Sequence, residues 1–376
     1  MCNLQKVTFL LFSLFTLVGC NLDTSIFGPA TATPFAEIPQ EPAPTAINRA
    51  NLTCDSEELL CVGLIVNGST MFDNSFNQLA YEGLQRAEQD YLAQINFIDT
   101  PDPNFMSQNI DQLVEQGYDV IVTVGFSARV TTINAAISNP NVDFIGIDQV
   151  QADPLTNLAG LVFPAADAGF LAGVLAGMAS ETNSVGAVLP SQSIPDAADF
   201  ADGFELGAKA INPNISVLIE HHPGRIEESL NDPTWGTETT KDLLNNANAD
   251  AIVGGPGATG SAALIEVAQN SEAVCIGVNT DQWVNVPEAR SCLISSVENQ
   301  IATGVFELIG WSSLSNLPAG NFQGNILLSS FHDFDPFINP QVRSLLREVE
   351  MGLRNNTIPL DGSYQVNNPP SISIGR

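Results

Sequence analysis

Positive charge is scarce in this chain: 12 Lys and Arg stand against 42 Asp and Glu in 376 residues, a formal net charge of -30. Such a field repels nucleic acid and anionic lipid head groups, which excludes a polyanionic partner. The same acidity serves solubility outside the cell, and it would attract a cationic ligand. Long apolar runs are also wanting. The N-terminal run at 7–18 (VTFLLFSLFTLV) and the small-residue-rich stretch at 170–178 both fall short of the ~20 residues a permanent membrane helix needs. Histidine is limited to three residues. His221 and His222 are adjacent and His332 is distant, with no nearby Cys or regular carboxylate spacing to complete a shell, so no metal site is expected. No cofactor is expected either.

What is present fits a globular α/β protein. Apolar residues make up 44% of the chain and aromatics only 7%, with enough Val, Ile, Leu and Ala to build parallel sheets. The length exceeds one comfortable core, so two domains are expected. Lys6 followed by the run at 7–18 has the make-up of a signal peptide over 1–19, and Leu17-Val18-Gly19-Cys20 resembles the bacterial lipobox, which makes Cys20 the expected lipidated residue. The predicted location is the cell membrane, lipid-anchored on its extracytoplasmic face, because several acyl chains hold where one does not. From Asn21 to about Ala50 the chain is rich in Pro, Ala and Thr and lacks periodicity, so 20–56 is expected to be a tether. The mature chain keeps Cys54, Cys61, Cys275 and Cys292. An even count in an exported protein suggests the pairs Cys54 with Cys61 and Cys275 with Cys292, although four cysteines allow three connectivities.

From Leu60 onward, short apolar runs alternate with amphipathic stretches. Strands are predicted at 62–66, 95–99, 119–125, 143–148 and 158–163, with helices over 75–91, 105–116 and 129–138 between them. A second series begins at Ala165 with a tightly packed helix containing AGFLAGVLAGM. It continues with strands at 184–189, 216–222, 250–255 and 274–279 and helices over 198–211, 236–246 and 261–270. Strands apolar on both faces belong in sheets covered by helices on both sides, so two doubly wound lobes are expected. The segment 293–298 (LISSVE) is expected to return the chain to the first lobe and 324–331 to cross again. The lobe assignments are 57–163 with 297–323, and 164–296 with 324–376.

Strand C-terminal ends in open α/β sheets face the crevice where ligands bind. The segment Asp73-Asn74-Ser75-Phe76-Asn77-Gln78 stands at the first such end, where Asp73 or Ser75 could also serve simply to cap a helix. Ser127 follows another strand; with no His base placed by the sequence, it is expected to be a hydrogen-bonding cleft residue rather than a nucleophile. Gly255-Pro256-Gly257-Ala258-Thr259-Gly260 fits the dinucleotide pattern G-x-G-x-x-G between a strand and a helix. Against that reading, Pro256 removes a backbone donor, and an exported protein meets little NAD.

The run VGLIVNGSTMFDNSFNQLAYEGLQRA (62–87) resembles the opening of basic membrane protein family (purine nucleoside receptor) lipoproteins, whose signature is D-x-S-F-N after the first strand. Further similar segments are FIGID (144–148), FPAADAGFLAGVLAGM (163–178), FADGFELGAKAINPNI (200–215), NDPTWGTE (231–238) and IGVNTDQ (276–282). The resemblance implies a type I periplasmic-binding-protein fold, with two lobes joined by three hinge crossovers. It also implies a ligand held between the lobes, delivery to an ABC permease, and a monomer that performs no chemistry. A nucleoside is the implied ligand, and a role in sensing for a kinase or chemoreceptor is the alternative.

Carried onto this sequence, Phe76 matches the aromatic that stacks on the base, Asp148 a polar cleft residue, and Gly255 a turn that lets backbone approach the ligand. Asn77 belongs to the signature. Asn67 stands where an Asp is usual, Leu230 where a second aromatic would stack, Asn279 where an Asp grips the ribose and Glu298 where a Lys is usual. Trp235 could supply the missing stacking face or serve in packing between the lobes. Glu298 reverses a charge and would favour a cationic ligand group.

Overall fold

The computed structural model describes residues 53–54, 59–68, 70–73, 75–270 and 272–373, and these belong to one compact unit. The expected signal peptide, Cys20 and most of the tether lie outside the described residues.

The first series of apolar runs forms β1 (Cys61–Asn67), β2 (Gln94–Thr100), β3 (Val120–Val124), β4 (Asp143–Ile147) and β5 (Leu158–Val162). Between them run α1 (Phe76–Asp90), α2 (Met106–Glu115) and α3 (Arg129–Ser138). The second series forms α4 (Ala165–Ala179), β6 (Ser184–Leu189), α5 (Pro195–Ile211), β7 (Ser216–His221), α6 (Ile226–Leu230) and α7 (Pro233–Asn245). It continues with β8 (Ala251–Gly254), α8 (Gly257–Ala268), β9 (Val274–Asn279), α9 (Gln282–Asn285) and β10 (Leu293–Asn299). The chain closes with α10 (Ile301–Ser313), β11 (Gly320–Gln323), β12 (Ile326–Leu328) and α11 (Pro340–Arg354).

Two six-stranded sheets result, in the orders β11-β5-β4-β3-β1-β2 and β12-β10-β9-β8-β6-β7. They correspond strand for strand, and every pairing is parallel except that of β10 with β12. Alternate residues of the central strands feed different cores. Val62, Leu64 and Val66 of β1 pack with α1 and α10, while Cys61 and Ile65 pack against α2. The central strands are therefore apolar throughout, whereas the outermost β7 is only half-buried along most of its length.

In the second lobe, α4 is buried on nearly all sides and crosses α5 through glycines on both helices. A Cβ at Gly169 or Gly173 would overlap the carbonyl oxygen of Phe200 or Phe204, and one at Gly203 or Gly207 that of Ala166 or Phe170. Packing this close explains why an apolar stretch so rich in small residues is a core helix. No helix among the described residues is long and apolar enough to cross a membrane.

The structure corrects one expectation about the path of the chain. The segment 293–298 does not return to the first lobe, because β10 pairs with β9 in the second sheet, in the register Glu298 opposite Asn279. The crossing follows Asn299, where the chain enters α10 against α1. Three strands thus pass between the sheets at 163–164, 299–300 and 324–325. They are bonded to one another: Gly324 N donates to Val162 O at 2.8 Å and Gln300 N to Asn325 O at 2.9 Å. Gly324 lies against the ring of Phe163 with no room for a side chain. The final segment belongs to the second lobe, where Val342, Leu346, Val349 and Leu353 of α11 join the core of α4. Cys54 is bonded to Cys61 at the head of β1, and Cys275 of β9 to Cys292 just before β10.

Candidate functional site

A cavity of about 380 Å³ opens between the C-terminal ends of the two sheets. That size is within the ~300–1,000 Å³ of small-molecule sites. The first lobe contributes Phe76 from α1, Gly125 and Phe126 after β3, and Asp148 after β4. The second contributes Leu230, Gly255 and Gly257 after β8, Asn279 and Gln282 around the end of β9, and Asp196 and Phe200 on α5. Phe163 from one crossover and Asn299 from another close the side nearest the strands that join the lobes.

The two halves place their polar groups in the same way. Asp148 ends β4 with φ 61° and Asn279 ends β9 with φ 68°. Short polar side chains tolerate this left-handed turn, and the turn lifts each out of its strand toward the gap. Asp148 is fixed further, because its N–H donates to Leu161 O at 2.8 Å. Burial raises its carboxyl to about 6, with the charge of Asp196 across the cavity adding to the effect. Asp196 is itself raised, first by burial and then by Asp199.

Among the expected site residues, Phe76, Asp148, Leu230, Gly255 and Asn279 line the cavity. Asn67, Asn77 and Ser127 are not in the lining and are bonded to one another through Asn67. Asn67 Nδ2 donates to Ser127 Oγ and to Val124 O, both at 3.0 Å, and Asn77 Oδ1 accepts from Asn67 N at 3.3 Å. Asp73 caps α1, accepting from the N–H groups of Ser75, Asn77 and Gln78. The signature segment thus divides its work: Asp73 starts the helix, Asn77 holds the end of β1, and Phe76 faces the cavity.

Two expected residues lie elsewhere. Trp235 belongs to α7 and packs within the second lobe, its ring edge-on to His222 at 4.8 Å, so it supplies no face to the cavity. Glu298 alternates with Val297 and Asn299, which line the cavity, and its own carboxyl accepts from Gln300 Nε2 at 3.4 Å and senses the charges of Asp281 and His332. Burial first and Asp281 second raise it to about 7. Sequence reasoning missed Phe126, Phe163, Asp196, Phe200, Gln282 and Asn299. The correspondence of the halves carried a signal for two of them: Asp196 and Phe200 open the helix after β6 as Phe76 opens the helix after β1.

The competing motifs are spent on structure. A Cβ at Gly260 would overlap the carbonyl oxygen of Gly255, so Gly260 serves close packing of α8 against β8. His221 Nδ1 bonds Pro190 O, while His222 Nδ1 accepts from Gly224 N and its Nε2 faces Asp232. No cluster of three or more possible metal ligands occurs among the described residues.

Residues 60–321 match the family described as ABC transporter substrate-binding protein PnrA-like. The chain belongs to this family. Basic membrane protein A2 of Borrelia garinii subsp. bavariensis is 27% identical over 277 residues, covering 71% of this chain and 76% of its own. The ABC transporter nucleoside-binding protein BmpA of Lactococcus lactis subsp. cremoris is 30% identical over 166 residues, covering 43% of this chain and 47% of its own. The fold is shared with an ABC transporter solute-binding protein of Aeropyrum pernix, at TM-score 0.59 and 22% identity over 81% of this chain and 88% of that one. It is also shared with a transcriptional activator of the comK gene of Bacillus halodurans, at TM-score 0.66 and 17% identity over 80% and 99%. The architecture is therefore of the periplasmic-binding-protein type, and the chain is a ligand-capturing component of a transporter of this family.

Proposed function

We propose that this protein captures a nucleoside-like small molecule in the cavity between its lobes and hands it to an ABC permease. The observation that carries the reading is a cavity lined from both lobes, with Phe76 as an aromatic wall and Asp148 and Asn279 as polar residues at corresponding strand ends. A ligand bonded to both lobes favours the closed arrangement over the open one, and the three crossover strands form the hinge. The ligand is bound and released unchanged, and release to the permease completes the cycle. The relative named as nucleoside-binding supports the choice of ligand.

Asn67, Asn77 and Ser127 fix the strand ends beside the site, and Phe76, Asp148, Leu230, Gly255 and Asn279 touch the ligand. The receptor acts as a monomer on the extracytoplasmic face, held by acyl chains on Cys20. Cys20→Ser, which removes the acceptor thiol, is expected to shift the protein from the membrane to the soluble fraction. An unchanged membrane fraction would refute the anchor.

The test of ligand class is the melting temperature of the full-length protein in detergent with adenosine, guanosine or inosine. A ligand at 100 times its dissociation constant stabilises by about 2.7 kcal/mol, so a clear upward shift with at least one is expected. No shift with any of the three, against a shift with a sugar or an amino acid, would contradict the nucleoside assignment.

A further inference from the structure

Two carboxylates reach the cavity from opposite lobes, Asp148 from the end of β4 and Asp196 from the first turn of α5. No Lys, Arg or His is among the described residues that line it. The lining offers the pair no cationic side chain, so closure over a neutral ligand would either leave two like charges facing one another as water is expelled or force one of them to take up a proton. Phe76, Phe126, Phe163 and Phe200 supply apolar aromatic surface around the same space.

Taking this cavity as the ligand site, as proposed above, we infer that the ligand is an organic cation: a flat ring system carrying a protonated amine that sits between Asp148 and Asp196. An ammonium group has three donors and no acceptor, so it can bond both carboxylates at once and cancel the repulsion that opposes closure. The phenylalanine rings suit the flat body and attract a cation placed over their faces. Asn279 and Asn299, which offer both donors and acceptors, are left for the ring's polar edge. The upward shift of Asp148, caused by burial and then by Asp196, fits two carboxylates that sense one another across the gap. Behind Asp196 stands another acid, Asp199, rather than a counter-charge.

The experiment compares matched pairs on the full-length protein in detergent at pH 7.5: adenosine with 5′-amino-5′-deoxyadenosine, and 2-phenylethanol with 2-phenylethylamine, by calorimetric titration and thermal shift. The expected result is that the amine of a pair binds at least tenfold tighter than its neutral partner. Asp148→Asn and Asp196→Asn should each remove that advantage, and melting of the unliganded variants checks their folding. If adenosine binds as tightly as its amine, the inference is overturned while the nucleoside reading stands. If 2-phenylethylamine binds and neither nucleoside does, the inference stands and the nucleoside reading falls. Binding of none of the four overturns the inference, whatever the variants do, because the wild-type comparison alone decides it.

Discussion

At the scale of single residues, the site depends on a few side chains whose backbone was hard to foresee. Asp148 and Asn279 were legible as strand-end residues, and both line the cavity. Their left-handed turns, which aim them at the gap, were not legible. Sequence spacing does not say which face of an element meets the cleft: of the two readings open for Trp235 the stacking face is not seen, since it packs within the second lobe, and Glu298 lies outside the lining although Val297 and Asn299 are in it. Glu298 nonetheless has a measurable consequence. Its folded pKa, about 7, lies above the ordinary value of 4.5, so the native state holds a proton that the unfolded chain has lost. Stability from this group is full below about pH 4.5 and declines as pH rises through 7. Glu298→Gln is therefore expected to raise the unfolding free energy by roughly 1 kcal/mol at pH 8, after allowance for solvent screening, with little change at pH 4.5. Chemical denaturation at the two pH values measures it, and an equal effect at both would contradict the assigned cause.

At the scale of elements, the β/α alternation was legible nearly everywhere, because buried parallel strands are apolar runs and most are followed by a helix. The starts of α5, α7 and α8 fell three or four residues earlier than the periodicity suggested. α5 and α7 begin with a Pro in the first helical turn, which needs no N–H partner there, and α8 begins at Gly257 with Pro256 as its N-cap. The glycines of α4 had a role that only packing shows. Gly173→Ala would gain up to about 1 kcal/mol in helix propensity, yet its Cβ would overlap the carbonyl oxygen of Phe204 and force the helices apart. A net loss of about 1–3 kcal/mol is expected. At Gly177 the nearest neighbour of an added Cβ is Ile211 Cβ at 3.0 Å, so Gly177→Ala should be much milder. Equal melting temperatures for the two variants would contradict the claim that backbone contact sets the α4–α5 distance.

At the scale of the whole molecule, two lobes were expected from two similar series of elements, and two corresponding six-stranded sheets are present. The return of the chain was placed one strand too early. An apolar strand such as β10 reads alike in either sheet, and its partner is fixed by tertiary packing rather than by local pattern. The cavity is lined from both lobes, and the central claim is that a ligand is held by both at once. It is tested most directly by titrating the nucleoside or amine that most raises the melting temperature into the wild type, Phe76→Ala in one lobe and Asn279→Gly in the other. Glycine keeps the left-handed turn at 279 while deleting the side chain. The expected result is at least tenfold weaker binding in each variant, since a stacking aromatic and a buried hydrogen-bonding partner each contribute roughly 1–3 kcal/mol. Undiminished affinity in either variant would contradict capture between the lobes.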